Sequence, residues 1–188
     1  MPPLPFALRR AAACDAPSAC AFGAAAFCAT FAHLYLPADL AAYLGKHYTP
    51  AIFSAWIENP RMQMWLASEQ SGALIGYALA GPVEVPVADT APDDGELRKL
   101  YVAEAAKGRG VAQALLAPCL EFVRSGGCAP LCSEGVAQRT GTPRKCYIGV
   151  WSENDRAIAF YRKAGAVKVG TYEYVVGDAR HVEWIMVL

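Results

Sequence analysis

Hydrophobic positions in this chain recur at two spacings, and the switches between them divide it into elements. An apolar run at 6–9 predicts a first strand. Asp15 stands where a cap would begin the next helix, and Pro17 is tolerated in its first turn. That helix runs to about Leu34, with Phe27, Phe31 and Leu34 on one face. Pro37 opens a second helix with Leu40, Tyr43 and Leu44 on one side. Pro50 opens a third, carrying Phe53, Trp56 and Ile57, which Asn59-Pro60 stops. Segments 62–68 and 73–81 flank Gln70-Ser71-Gly72 and read as a hairpin. Residues 82–95, with three prolines and three aspartates, read as a long loop.

The stretch from 96 to 102 is the next strand. Counted by two, Glu96, Arg98, Leu100 and Val102 share one face, and Leu97, Lys99 and Tyr101 the other. A glycine-bearing turn then opens a helix with two apolar stripes, Val111, Leu115, Cys119, Val123 and Ala112, Leu116, Leu120. Pro118 in its interior removes a donor and predicts a kink. Residues 125–145 lack periodicity and read as a loop insertion, mobile or laid over an edge. A central strand at 146–151 follows, then Ser152-Glu153-Asn154-Asp155, then a helix closed by Gly165. Two strands, 167–176 and 182–188, flank Gly177-Asp178. No linker or repeat interrupts the order, so 1–188 reads as a single α/β domain.

Composition narrows the function classes. Of 188 residues, 55% are hydrophobic, enough for a sizeable core. Lys+Arg and Asp+Glu are 17 each, so no basic footprint points to nucleic acid. No uninterrupted apolar run long enough to cross a bilayer is expected, and Asp15 and Pro17 break a signal-like start after Arg9 and Arg10. Cys128, Cys132 and Cys146 have neither a fourth ligand nor a histidine nearby. The seven scattered cysteines therefore suggest a reduced, cytoplasmic protein without a metal.

The chemistry concentrates at the glycine turn. Gly108 and Gly110 sit where strand gives way to helix, and the first turn of a helix leaves about four N–H groups without partners. Those donors and the helix dipole favour an anion, and glycine lets the backbone approach it. His33, Tyr35, His47, Tyr48 and Trp56 in the early helices read either as a packed layer or as one wall of a substrate cleft.

The element order, the Lys107-Gly108-Arg109-Gly110-Val111-Ala112 turn after Leu100-Tyr101-Val102, and the downstream run from Trp151 to Ala166 resemble the GCN5-related N-acetyltransferase (GNAT) superfamily. The likeness covers nearly the whole chain. The family phosphate loop opens with glutamine or arginine, where this chain has Lys107. The resemblance implies a mixed, mostly antiparallel central sheet flanked by helices, with acetyl-coenzyme A as co-substrate. It places the pantetheine arm along the backbone of Leu100, Tyr101 and Val102. Backbone N–H groups of Lys107, Gly108, Arg109, Gly110, Val111 and Ala112 would hold the pyrophosphate.

Asn154 matches a family asparagine near the pantetheine arm and also suits a helix cap. Tyr161 matches the tyrosine that protonates the leaving thiolate. An alkylammonium must lose a proton before it attacks, and Glu96 is the candidate base. Glu84, Asp89, Asp93 and Asp94 are alternatives. Some polyamine-acetylating relatives carry a glutamate where this chain has Arg98. Within the superfamily the chain is most similar to Pai-type spermidine/spermine acetyltransferases, through Glu58-Asn59-Pro60-Arg61, the 95–102 strand and the ending from Val176. A polycation would want an acidic cleft, for which Asp89, Asp93, Asp94 and Glu96 are available. The expected acceptor is a small primary amine, a protein N-terminus or lysine being the alternative, and a non-catalytic coenzyme A-binding module a third reading. A C-terminal strand at the sheet edge would suit a homodimer.

Overall fold

Seven strands form one sheet in the order β1-β2-β3-β4-β5-β7-β6. They are β1 (Ala7–Arg10), β2 (Gln63–Ser68), β3 (Leu74–Pro82), β4 (Gly95–Val102), β5 (Cys146–Trp151), β6 (Val167–Val176) and β7 (Ala179–Val187). Five helices accompany them: α1 (Ala16–Phe31), α2 (Pro37–His47), α3 (Pro50–Glu58), α4 (Val111–Arg124) and α5 (Asp155–Lys163). A computed structural model of the chain describes residues 5–131 and 143–188. All strand pairs are antiparallel except β4 with β5. This is the mixed, mostly antiparallel sheet expected.

The sheet has a core on each face. On one, Leu97, Val111, Leu115, Cys119, Val123, Ile148 and Met186 lie under α4 and α5. On the other, Phe27, Phe53, Met64, Leu66, Tyr77 and Leu79 lie under α1, α2 and α3. Gly23 lets α1 settle on β3, because a Cβ there would lie 3.0 Å from the Tyr77 hydroxyl and 3.1 Å from the Phe53 ring. The stretch Ala13–Leu34 spans 22 residues at mean hydropathy 1.3, which meets the length and apolarity of a membrane span. This departs from the expectation that no stretch is long and apolar enough. Here Ala19, Cys20, Gly23 and Phe27 of this stretch are buried against the rest of the fold.

Several local expectations change. Asp15 directs its carboxylate backward, accepting from Ala12 N–H at 2.8 Å and from the Arg9 guanidinium at 2.6 and 2.7 Å, so it does not cap α1. A charged donor pair binds a carboxylate more strongly than a single helical amide does. Thr49 does cap α3, accepting from Ile52 N–H at 3.3 Å. Pro118 lies inside α4, as the sequence places it, and the helix runs on to Arg124. The C-terminal strand β7 lies between β5 and β6, so the edge is β6 and the dimer argument from a C-terminal edge strand fails. Of the 125–145 stretch, the residues after α4 turn inward and bury Cys128, whose carbonyl accepts from Arg61 at 2.9 and 3.1 Å. Cys132 lies outside the described residues.

Two features of β4 shape the interior of the molecule. It pairs with β5 only at Gly95↔Cys146 and Glu96↔Tyr147, and the strands then part. The junction is held by Gly95 N–H to Lys145 carbonyl and by Lys145 N–H to the Asp94 carboxylate, each 2.9 Å. On the other edge, Leu79 faces Lys99 while Ala80 faces Leu97, so Arg98 is an extra residue in a bulge. The bulge shifts the side-chain phase. Leu97, Leu100 and Val102 go to the α4 core, whereas Tyr101 joins the core beneath α1 to α3.

Candidate active site

Where β4 and β5 part, a cleft of about 900 Å³ runs through the molecule, from the glycine turn at one end to α1, α2 and β6 at the other. The turn itself demands its glycines. Gly108 has φ +78° and Gly110 has φ +81°, a region that side chains with a Cβ rarely adopt. An added Cβ at either would face open space within 4 Å, so conformation and not crowding selects glycine. Gly110 precedes α4, whose first ladder bond runs from Ala114 N–H to Gly110 carbonyl at 3.0 Å. The N–H groups of Val111, Ala112 and Gln113 precede that ladder and stand as donors at the positive end of the dipole.

Side chains around the turn are pinned by carboxylates. Lys107 pairs with Glu104, and Arg156 approaches the same carboxylate at 3.6 Å. Arg109 reaches across to Glu69 beside the β2–β3 turn at 2.6 Å. Lys107, Gly108, Gly110, Val111 and Ala112 line the cleft, and Arg109 does not. Beyond Glu96, the β4 edge that faces β5 carries no ladder, leaving backbone along Leu100, Tyr101 and Val102 available on that side.

The opposite end of the cleft is rich in carboxylates and aromatic rings. Glu96 is 7% exposed, and one of its oxygens accepts from Glu84 N–H at 2.6 Å and Val85 N–H at 2.9 Å. Burial pushes its carboxyl up to about 7, against the pull of the Val85 amide and the Lys99 charge. Glu183 on β7 accepts from the Tyr172 hydroxyl at 2.5 Å, and burial raises its carboxyl too. Gly149 makes room for that pair, since a Cβ there would sit 2.6 Å from the Tyr172 hydroxyl and 3.0 Å from the Glu183 carboxylate. Burial lowers the ammonium of Lys99, with Arg98 adding repulsion, while Glu183 and Glu96 oppose the shift. Tyr43 of α2 and Tyr174 of β6 share a hydroxyl bond of 2.5 Å that closes the outer wall. His181 and Trp151 meet edge-on at 6.1 Å beside Tyr35.

Tyr161, on α5, lines the cleft and is 7% exposed. Burial beside Cys146 and Cys119 pushes its phenol well up, so it stays protonated across neutral pH. Asn154 caps α5 through a bond from Ala157 N–H at 3.1 Å and also lines the cleft. Its carboxamide oxygen serves the helix and its Nδ2 faces no protein acceptor among the described residues. Burial raises the thiols of Cys128 and Cys146 to about 12, which makes them unreactive core groups.

The cleft therefore unites Glu96, Leu100, Tyr101, Val102, the glycine turn, Asn154 and Tyr161. The other carboxylates proposed for an acidic cleft or a base are engaged or placed elsewhere. Asp93 binds Arg144 at 2.9 Å, and Asp94 accepts from Ala91 N–H at 3.0 Å and Lys145 N–H at 2.9 Å. Asp89 is exposed in a left-handed turn, and Glu84 reaches the cleft but pairs there with Arg98. Arg144 is thereby engaged at the β4–β5 junction, where it also donates to Arg124 carbonyl at 2.9 Å. Sequence reasoning missed Glu183, Tyr172 and Lys99 as cleft residues. Alternation of His181 and Glu183 with Val182 and Trp184 was a usable signal for a face turned toward a site.

The sheet splays after one parallel strand pair, and a left-handed glycine turn feeds a helix at the opening, which gives one cleft with an anion-binding turn at one end and a buried carboxylate at the other. The sequence model of the acetyltransferase (GNAT) family matches residues 29–136, and the chain belongs to that family. An uncharacterised N-acetyltransferase in the pepI 3′ region of Lactobacillus delbrueckii subsp. lactis is 22% identical over 172 residues, 92% of this chain and 90% of that protein. The N-alpha-acetyltransferase RimI of Mycobacterium tuberculosis is 28% identical over 123 residues, 65% of this chain and 63% of its own length. The PaiA N-acetyltransferase from Thermoplasma acidophilum, solved in complex with coenzyme A, superposes with a TM-score of 0.66 at 15% identity, covering 97% of each chain.

Proposed function

We propose that the protein transfers the acetyl group of acetyl-coenzyme A to a primary amine on a small molecule. One observation carries this reading: a single cleft joins the glycine turn to a buried carboxylate, Glu96, at the point where β4 and β5 part. The residues present fit the co-substrate. The left-handed glycines turn free amides of the Lys107–Ala112 segment toward a diphosphate, and the unpaired β4 edge at Leu100, Tyr101 and Val102 suits the amides of a pantetheine arm. The Nδ2 of Asn154, which has no protein acceptor among the described residues, suits a carbonyl of that arm. When bound, acetyl-coenzyme A supplies an acetyl group activated as a thioester.

The chain's own groups handle the protons. Glu96, with a carboxyl near 7, accepts the proton that an alkylammonium must lose before its nitrogen can attack. Tyr161, protonated at neutral pH, donates to the departing thiolate. Glu183 and the rings of Tyr43, Tyr172 and Tyr174 suit the remainder of a cationic acceptor. Two carboxylates in one pocket favour an acceptor with more than one amine, of the polyamine kind.

A second reading is acetylation of a protein N-terminus. Its support is the sequence similarity to the relative named as an N-alpha-acetyltransferase. A panel of diamines, monoamines and short peptides with free N-termini separates the two by kcat/KM. Higher values for small amines support the proposal, and a clear preference for peptides overturns it in favour of the second reading.

A further inference from the structure

The bulge at Arg98 puts a lysine in the acceptor end of the cleft. Lys99 lines that cleft on the same strand as Leu100, Tyr101 and Val102, immediately before the segment proposed to follow the pantetheine arm. It is half-buried, and its Nζ lies 5.8 Å from the centroid of the Tyr48 ring. Among the described residues no carboxylate comes within 4.0 Å of it. The titratable groups around it are Glu96 and Arg98 on its own strand, Glu183 on β7 and His47 on α2, with Tyr48 and Tyr101 beneath. Two of these are carboxylates that interact with it without bonding it.

We propose that Lys99 is itself an acetyl acceptor, so that the protein acetylates its own cleft when amine substrate is scarce. The inference rests on the acetyl-coenzyme A reading of the cleft. Lys99 needs no residue that the proposed reaction lacks. Its ammonium gives a proton to Glu96, and the neutral Nζ forms a bond to the thioester carbonyl carbon. The carbon–sulfur bond breaks, the thiolate leaves with the proton of Tyr161, and the second proton that the nitrogen sheds on forming the amide restores that phenol. The products are an Nζ-acetyl amide and free coenzyme A. A lowered lysine pKa makes the neutral nucleophile more available. The product replaces an ammonium that interacts with Glu96 and Glu183 by a longer, neutral amide. Self-acetylation would therefore occupy the acceptor end and remove a cation that opposes the upward shift of the Glu96 carboxyl.

The test is residue-resolved mass spectrometry of the full chain incubated with acetyl-coenzyme A and no added amine. The expected result is acetyl occupancy at Lys99 about tenfold or more above that at the exposed Lys46, which lies outside the cleft lining. The preference should vanish in urea-unfolded protein and fall when a good amine acceptor is added in excess. Glu96→Gln should slow labelling of Lys99 without changing that of Lys46. Lys99 left unmodified, or labelled no more than Lys46, by protein that acetylates added amines overturns the inference and leaves the function intact. Labelling of Lys99 by protein that acetylates no amine in the panel supports the inference and sinks the small-amine reading. Absence of coenzyme A binding by calorimetry overturns both.

Discussion

Glu96 and Lys99 face the same cavity although they stand three positions apart on one strand. In an uninterrupted strand, residues three apart point to opposite faces. The extra residue at Arg98 restores them to one side, where each acts electrostatically on the other and both act on Glu183. A base, a cation and a second carboxylate thus meet at the acceptor end of the cleft. They come from two strands, β4 and β7, that are separated in the sheet by β5.

Burial of Glu96 carries a stability signature. Its folded carboxyl, near 7, stands above the unfolded value of 4.5, so the native state holds the proton more tightly. This group's contribution is most favourable below about pH 4.5 and is lost as pH rises toward about 7. The loss is about 3 kcal/mol at most. Glu96→Gln should remove that slope, and urea midpoints measured at pH 5 and pH 8 should lie closer together in the variant than in the wild type.

Tyr161→Phe should lower kcat by about a hundredfold while coenzyme A affinity changes little, because only a proton donor is removed. Single-turnover kinetics and calorimetry check the two halves. Equal losses in turnover and in affinity would show that the ring merely packs among Ile158, Cys119 and Cys146.

Gly110→Ala should act at the other end of the cleft. Its φ of +81° costs a Cβ-bearing residue about 1–2 kcal/mol, although the space around it is open. The turn should relax away from its cradle geometry, weakening coenzyme A binding by about tenfold with little change in the amine KM. Isothermal titration with coenzyme A alone reads this directly.

Gly149→Ala should have the reverse pattern. A Cβ 2.6 Å from the Tyr172 hydroxyl must displace that ring and break its bond to Glu183. The amine KM should rise by about tenfold, the loss of one charge-assisted hydrogen bond. Coenzyme A affinity should hold, since an added Cβ at Gly149 meets Tyr172, Glu183 and Val85 and no residue of the glycine turn.

Most of the element order was legible, because periods of two and of three to four change cleanly at Pro37, Pro50 and the glycines. The glycine turn was legible because its local geometry demands glycine whatever surrounds it. What escaped was non-local. Counting by two along β4 could not anticipate the bulge, since a bulge depends on the partner strand as much as on Arg98. Asp93 and Asp94 looked like cleft acids, but the chain leading into β5 returns to engage them through Arg144 and Lys145. The last strand entered the sheet interior, and only that insertion brings Glu183 beside Gly149.

The most direct test of Glu96 as the base is the pH dependence of kcat/KM for acetyl transfer to a good amine, compared between the wild type and Glu96→Gln. Deprotonation of Glu96 should give the wild type a rising limb centred near 7, and the variant should lose that limb and about a hundredfold in rate at pH 8. A limb that persists unchanged in Glu96→Gln, with turnover near the wild-type value, would contradict the assignment.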